Sequence, residues 1–275
     1  MAGLTEGVAP VGQIDKATIS RWQIVFLAAS GVAIALCEWV FAYQNVAYGI
    51  IIALGLAIMM YLVVSIRRFD ERLTKCVESL ALIPLYILFT SSLPWFFINQ
   101  QYLLPAVYAT ILALCFWHIH RSNLSLKKIM GVSKEKFLKY ALIGLVIGAP
   151  LGVIEYFILQ PAATFPTFEV RYLLRDVVYM LFFVGLAEEI LFRGLIQADF
   201  SEAFGWKWGL FGAAALFSVM HLTWRSVPEL GFVFLAGLIL GSLYLKTKSL
   251  TAPIVAHGIN NVGNATQVML SYSHR

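Results

Sequence analysis

The sequence predicts an all-α protein, a polytopic transmembrane helical bundle of eight or nine spans with its working parts in the C-terminal half. Three observations carry this expectation. Of 275 residues, 60% are hydrophobic and 13% charged, with a mean hydropathy of +0.80; a soluble domain has about 45–50% apolar and 25% charged residues. Apolar runs of membrane-spanning length recur along the chain. Basic residues collect on alternate connections between those runs, as the positive-inside rule requires.

Residues 1–20 are mixed and polar, without an apolar stretch beside a basic start. They read as a cytoplasmic tail rather than a cleavable signal, so the first helix is expected to be retained. Apolar runs follow at 22–43, 46–66, 77–97, 102–118, 137–159, 174–196, 207–221, 229–245 and 250–270. The 102–118 and 207–221 runs are short; one of them tilted, re-entrant or merged gives eight spans instead of nine. With the N-terminus inside and the runs alternating, fifteen Lys and Arg fall inside: Lys16 and Arg21, the 67–75 turn, the 119–139 segment, Lys207, Lys246 and Lys248. Four fall outside (Arg171, Arg175, Arg225 and Arg275), and Arg193 is left in the membrane. The net charge of +5 therefore has a topological origin and calls for no nucleic-acid partner. The expected setting is the lipid bilayer of a prokaryotic inner or plasma membrane, with the N-terminus cytoplasmic.

The inside loop 119–136 divides the chain. Residues 21–120 form an N-terminal four-helix scaffold with few buried polar groups, and 137–270 form a core holding every paired polar motif. Cys37, Cys76 and Cys115 are odd in number and widely spaced, fitting neither a CxxC nor a zinc-ribbon pattern; they read as small apolar helix residues. Gly144, Gly148 and Gly152 make a small-residue ridge in the fifth run, and Gly237 and Gly241 another in the eighth, each allowing a close helix approach in lipid. Pro150 and Pro253 are expected to kink or unwind their helices. Trp22, Trp95, Trp206 and Trp208 read as interfacial anchors, and His118 and His120 as headgroup contacts. Glu38 and Glu155 read as lone acids, cavity-facing or snorkelling.

Residues 184–194 hold Glu188, Glu189 and Arg193 inside an otherwise apolar run. An ionised group there costs about 2.5–3.5 kcal/mol on insertion scales, so such residues face the bundle interior and mark function. Glu189 and Arg193 are four apart, share a face and can pair. Glu188 lies about 140° from Arg193 around the helix and needs a partner on another helix. Two further i,i+4 pairs follow, Phe217 with His221 and His257 with Asn261. Helix rise places Glu188, His221 and His257 at ~16, ~21 and ~10 Å from the inside face, depths that tilt reconciles. Asn260 and Asn264 flank the last pair and offer further donors. Taken singly, each motif has a plainer reading: a structural ion pair, an interfacial histidine, interhelical hydrogen bonding. Together they fit a water-activating site. A buried carboxylate and a neutral imidazole serve as general base, and a second His with an Asn donates to an oxyanion.

The series Glu188-Glu189-x-x-x-Arg193, Phe217-x-x-x-His221, His257-x-x-x-Asn261 resembles the three motifs of the CPBP (CAAX protease and bacteriocin-processing, or Abi) family of intramembrane proteases, which includes the type II CAAX prenyl endopeptidases. The likeness covers roughly residues 137–270. It implies a glutamic-type, metal-independent intramembrane peptidase with an all-helical core and no cofactor. It assigns Glu188 and His221 to water activation and His257 and Asn261 to the oxyanion, and Glu189 and Arg193 then brace the site. The substrate is expected to be a membrane-anchored protein or peptide. Two alternatives stand beside this one. Glu188, His221 and His257 make a legitimate zinc ligand set, though Asn261 would then be idle. Intramembrane Glu and His also serve proton relays, as in a transporter, and a non-catalytic scaffold would use them structurally.

Overall fold

The computed structural model describes residues 20–66, 69–159 and 170–272, with the side chains of residue 100 and residues 263–272 excepted. The expected tail to residue 19, Arg67, Arg68, Arg275 and the side chain of Asn264 lie outside the described residues. The described residues form ten helices and no strand. These are α1 (Arg21–Trp39, continued by a π turn, Val40–Gln44), α2 (Val46–Ile66), α3 (Glu71–Ser91), α4 (Gln100–Arg121) and the short α5 (Leu126–Met130). Then come α6 (Phe137–Leu159), the composite α7 (Val170–Tyr179 to Ala198–Phe204), α8 (Trp206–Val219), α9 (Val227–Thr247) and α10 (Thr251–Tyr272). Among the described residues six helices are long and apolar enough to cross a membrane.

The helix ends follow the sequence chemistry. Asp70, Asn99, Ser125 and Ser226 each accept a backbone N–H at a helix start, satisfying donors the first turn leaves free. Asp70 also accepts from the Arg72 side chain, and that hydrogen bond holds its carboxyl below the usual carboxylate range. The short 102–118 run becomes a full 22-residue helix. The 207–221 run does not. Its helix has 14 residues, ~21 Å long against a hydrocarbon core of ~30 Å.

Contacts between helix ends show the alternation of direction. At one end Lys75 pairs with Glu202 at 3.0 Å and Arg121 with Glu78 at 3.1 Å. At that end too, Leu250 N–H donates to the Met130 carbonyl at 3.0 Å. Gly131 closes α5 with φ +55°, and any Cβ there would strike the Lys248 carbonyl; only glycine suits both demands. At the opposite end Arg225 Nε donates to the Ala42 carbonyl at 3.0 Å.

Helix α3 is the most enclosed. Leu73, Cys76, Val77, Leu80, Ile83 and Ile87 are buried against α1, α2, α4 and the C-terminal part of α7. One hydrophobic cluster runs from Leu27 in α1 through α3 to Leu250, so the N-terminal helices share a core with the rest. Cys37, Cys76 and Cys115 are free thiols buried in it.

Helices α6 and α10 make the closest pair, running parallel. A Cβ at Gly144 would lie 2.7 Å from the Ala252 carbonyl, one at Gly148 would strike that of Ala256, and one at Gly152 would lie 2.5 Å from that of Asn260. The two helices advance four residues at each step, glycine against backbone, which sets the depth of His257 and its neighbours. Gly148→Leu is therefore expected to force α6 and α10 apart and to cost about 1–3 kcal/mol or more. Thermal unfolding in detergent measures it, and an unchanged midpoint would contradict this packing.

Three expectations are corrected. Pro253 is the third residue of α10, where the helix has no use for its N–H, so it need not distort the helix before His257. His118 is 2% exposed. It faces inward, away from any headgroup, because two residues separate it from exposed His120 by about 200° of helix. Glu155 is not a lone acid, because it accepts a hydrogen bond from Asn260 Nδ2 of α10 at 2.6 Å.

Candidate active site

The central segment of α7 departs from α geometry. Met180–Gly185 and Ile190–Gln197 are π-helical and flank a single α turn, Leu186–Glu189; π segments are often found at functional positions. Here the widened helix presents Glu188, Glu189 and Arg193 to α4, α9 and α10.

Glu189 and Arg193 pair at 2.7 Å and are 0% and 1% exposed. Arg193 also donates from Nη2 to the Gly237 carbonyl at 3.3 Å, and its guanidinium stacks 4.4 Å from the Phe217 ring centre. One turn along, Gln197 repeats the pattern by donating to the Gly241 carbonyl at 3.0 Å. The Gly237–Gly241 ridge of α9 thus bares two backbone carbonyls, one turn apart, to two side chains of α7.

Glu189 carries a second partner. His257 Nδ1 lies 2.8 Å from Glu189 Oε1. An ionised carboxylate only accepts, so that ring nitrogen bears the proton. The other nitrogen, Nε2, lies 3.5 Å from Glu188 Oε2. His257 therefore bridges the two adjacent carboxylates.

Glu188 finds its partners on other helices, Tyr108 and His257. The Tyr108 hydroxyl of α4 donates to Glu188 Oε1 at 3.0 Å. The other oxygen, Oε2, is buried and accepts no hydrogen bond among the described residues. Glu188 is thus held by one oxygen and open at the other. Tyr108→Phe removes a bond to a charged acceptor, worth about 1.5–3 kcal/mol. It is expected to lower any turnover that depends on Glu188 by about tenfold or more without unfolding the protein. Steady-state rates beside a thermal melt check this, and an unchanged rate would show the hydroxyl to be a bystander.

His221 follows the end of α8. Its Nδ1 lies 2.8 Å from the Phe217 carbonyl, which is an acceptor only, so the neutral ring keeps its lone pair on Nε2. Among the described residues no direct hydrogen bond joins His221 to Glu188, but the two lie within Coulomb reach of each other. Phe217 is the platform between the groups: its ring centre is 4.8 Å from that of His221 and 5.6 Å from that of His257.

A small cavity of about 30 Å³ opens among these groups, lined by His221, His257, Asn261, Asn260 and Glu155 with apolar residues of α6 and α9. That is room for a water or two. Asn260 Nδ2 donates to Glu155 Oε2 at 2.6 Å and to Asn261 Oδ1 at 3.2 Å. The buried carboxyl of Glu229 lies near enough to Glu155 to interact with it electrostatically. Among the described residues no group of three His, Cys, Asp or Glu side chains is arranged to hold a metal ion.

Sequence reasoning missed Tyr108, Gln197 and Glu229. The first two lie on apolar stretches without a motif. Glu229 completes a capping-box spacing with Ser226, which marks a helix start and conceals the inward turn of its carboxylate.

Residues 171–263 match the family model described as type II CAAX prenyl endopeptidase Rce1-like. That segment holds α7 from its first turn, all of α8 and α9, and α10 through Asn261, and so every residue of the three motifs. Tyr108 and Glu155 lie before it. Neither a curated protein nor a solved structure gave a match.

Proposed function

We propose that the Rce1-like domain carried by this chain makes it an intramembrane endopeptidase of glutamic type, hydrolysing a peptide bond of a membrane-associated protein or peptide. The observation that carries this reading is the buried Oε2 of Glu188, which accepts no hydrogen bond among the described residues, with Oε1 held by Tyr108 and His257 Nε2 3.5 Å from Oε2. In the proposed step a water lies between Glu188 Oε2 and His221 Nε2. Its oxygen attacks the substrate carbonyl carbon while Glu188 takes one of its protons. The tetrahedral oxyanion accepts hydrogen bonds from Asn261 Nδ2, and from His257 Nε2–H when that ring carries both protons. One such donor is worth about 2.7–4 kcal/mol. The C–N bond then breaks, and the proton on Glu188 passes to the leaving amine nitrogen. Arg193 and Glu189 keep the His257 ring in place. No metal takes part in this scheme.

The zinc alternative asks His221, His257 and Glu188 to converge on one ion. In the present geometry the Nδ1 atoms of both rings are engaged, at 2.8 Å each, by Phe217 and Glu189. The test is incubation of a membrane-peptide library with the purified protein in proteoliposomes, with and without a strong chelator. The expected result is fragment pairs whose masses sum to the substrate plus one water, at a rate the chelator leaves unchanged. Products lost with chelator and restored by zinc would replace this scheme with the metal one. No products from a library that includes lipidated C-terminal tails would favour a transporter or scaffold.

A further inference from the structure

The cavity has an acidic side, unused by the reaction just described. Glu155 of α6 is 8% exposed and lines the cavity, and Glu229 of α9, near enough to interact with it electrostatically, is 0% exposed. Glu229 lies in the first turn of α9, where the helix dipole favours a negative charge. Its backbone N–H donates to Ser226 Oγ at 3.3 Å. Its carboxylate does not return to cap the helix, as the capping-box spacing would allow. Both of its oxygens are buried and accept no hydrogen bond among the described residues.

From Glu155 the hydrogen bonds run in one direction. Glu155 Oε2 accepts from Asn260 Nδ2, and the other hydrogen of that same NH2 goes to Asn261 Oδ1. Both donors of Asn260 are thereby used. With its oxygen engaged, Asn261 has only its NH2 left to offer, and it lines the cavity beside His221 and His257. A carboxamide turned the other way would set its own N–H against that of Asn260, donor against donor.

We propose that Glu155 is a positioning residue that acts through Asn260 to fix the Asn261 carboxamide with its NH2 toward the cavity. The catalytic consequence rests on the reading of Asn261 as an oxyanion donor; the orientation itself does not. Glu155 lies outside the matched segment, in the helix whose Gly152 packs on the Asn260 backbone. The same helix pair therefore brings the acid to the amide and sets the spacing between them.

The test uses Glu155→Ala, Glu155→Gln and Asn260→Ala in the full-length protein, each also in an Asn261→Ala background. Glu155→Ala and Asn260→Ala are expected to lower kcat about tenfold with little change in KM, part of the 10²–10³ that a whole oxyanion donor is worth. Glu155→Gln, which keeps an acceptor oxygen, recovers most of that loss. In the Asn261→Ala background neither alanine variant lowers kcat further, because the group they position is gone. An equal loss in both backgrounds, or a change in KM alone, overturns the proposal. A second readout needs no turnover: the side-chain NH2 resonance of Asn261 in protein labelled with 15N-asparagine, identified by its absence in Asn261→Ala. It is expected to shift in Glu155→Ala and to stay in place in Glu155→Gln. An unmoved signal in Glu155→Ala overturns the proposal even if the wild type cleaves nothing, whereas absent cleavage with a shifted signal counts only against the peptidase reading.

Discussion

Glu188→Ala is expected to reduce cleavage by about 10²–10⁴-fold, the range a positioned general base supplies, while the protein remains folded and inserted. The two halves of this expectation come from different contacts. Among the described residues Glu188 reaches Tyr108 at 3.0 Å and His257 at 3.5 Å, and neither contact holds helices together by itself. Its Oε2 has no donor among the described residues, so its removal leaves no buried cation behind there. His257 keeps its bond to Glu189. Initial rates on a cleaved membrane peptide, with a thermal melt of each preparation, separate lost chemistry from lost fold. A variant that turns over like the wild type removes Glu188 from the mechanism.

Glu189→Ala is expected to damage both fold and rate. On spacing alone, Glu189 only braces Arg193, which predicts a milder effect than loss of Glu188. The structure gives it more to do, since Arg193 at 2.7 Å and His257 at 2.8 Å converge on the same Oε1. Arg193 is 1% exposed, and removing its counter-charge leaves a buried guanidinium uncompensated, at about 3–5 kcal/mol. His257 loses the acceptor that fixes its ring. The double variant Glu189→Ala/Arg193→Met separates the two effects. Removing both charges is expected to restore most of the stability, as replacement of whole buried pairs does elsewhere, without restoring the rate. Thermal midpoints and rates of the single and double variants decide this. A single variant as stable as the wild type would show that water reaches Arg193.

What the sequence made legible was whatever lies within one helix. The i,i+4 spacing placed Glu189 on Arg193, and the Gly144–Gly148–Gly152 repeat marked a close-packed face. It also required Glu188 to find partners on another helix. It did not say which ones, because a pairing between residues 80 apart, such as Tyr108 with Glu188, leaves no periodic trace. The same limit applies to His257. Its spacing to Asn261 suggests a pair, yet the ring turns to Glu189 and Glu188, and Asn261 is engaged by its neighbour Asn260. Glu155 looked solitary in an apolar run, since its companions come from α9 and α10, 74 and 105 residues on. The count of spans is hard to read for a different reason. Apolar composition marks burial of any kind, so a 14-residue helix such as α8 scores like a short span.

The most direct test of water activation at Glu188 is a single-turnover cleavage in H2(18)O, with both the product carboxylate and the Glu188 side chain weighed by mass spectrometry. Direct attack by the activated water predicts one 18O atom in every new C-terminal carboxylate and none in Glu188. Unlabelled product, or 18O in the Glu188 carboxylate, would mean that Glu188 itself attacks the substrate and would contradict the scheme.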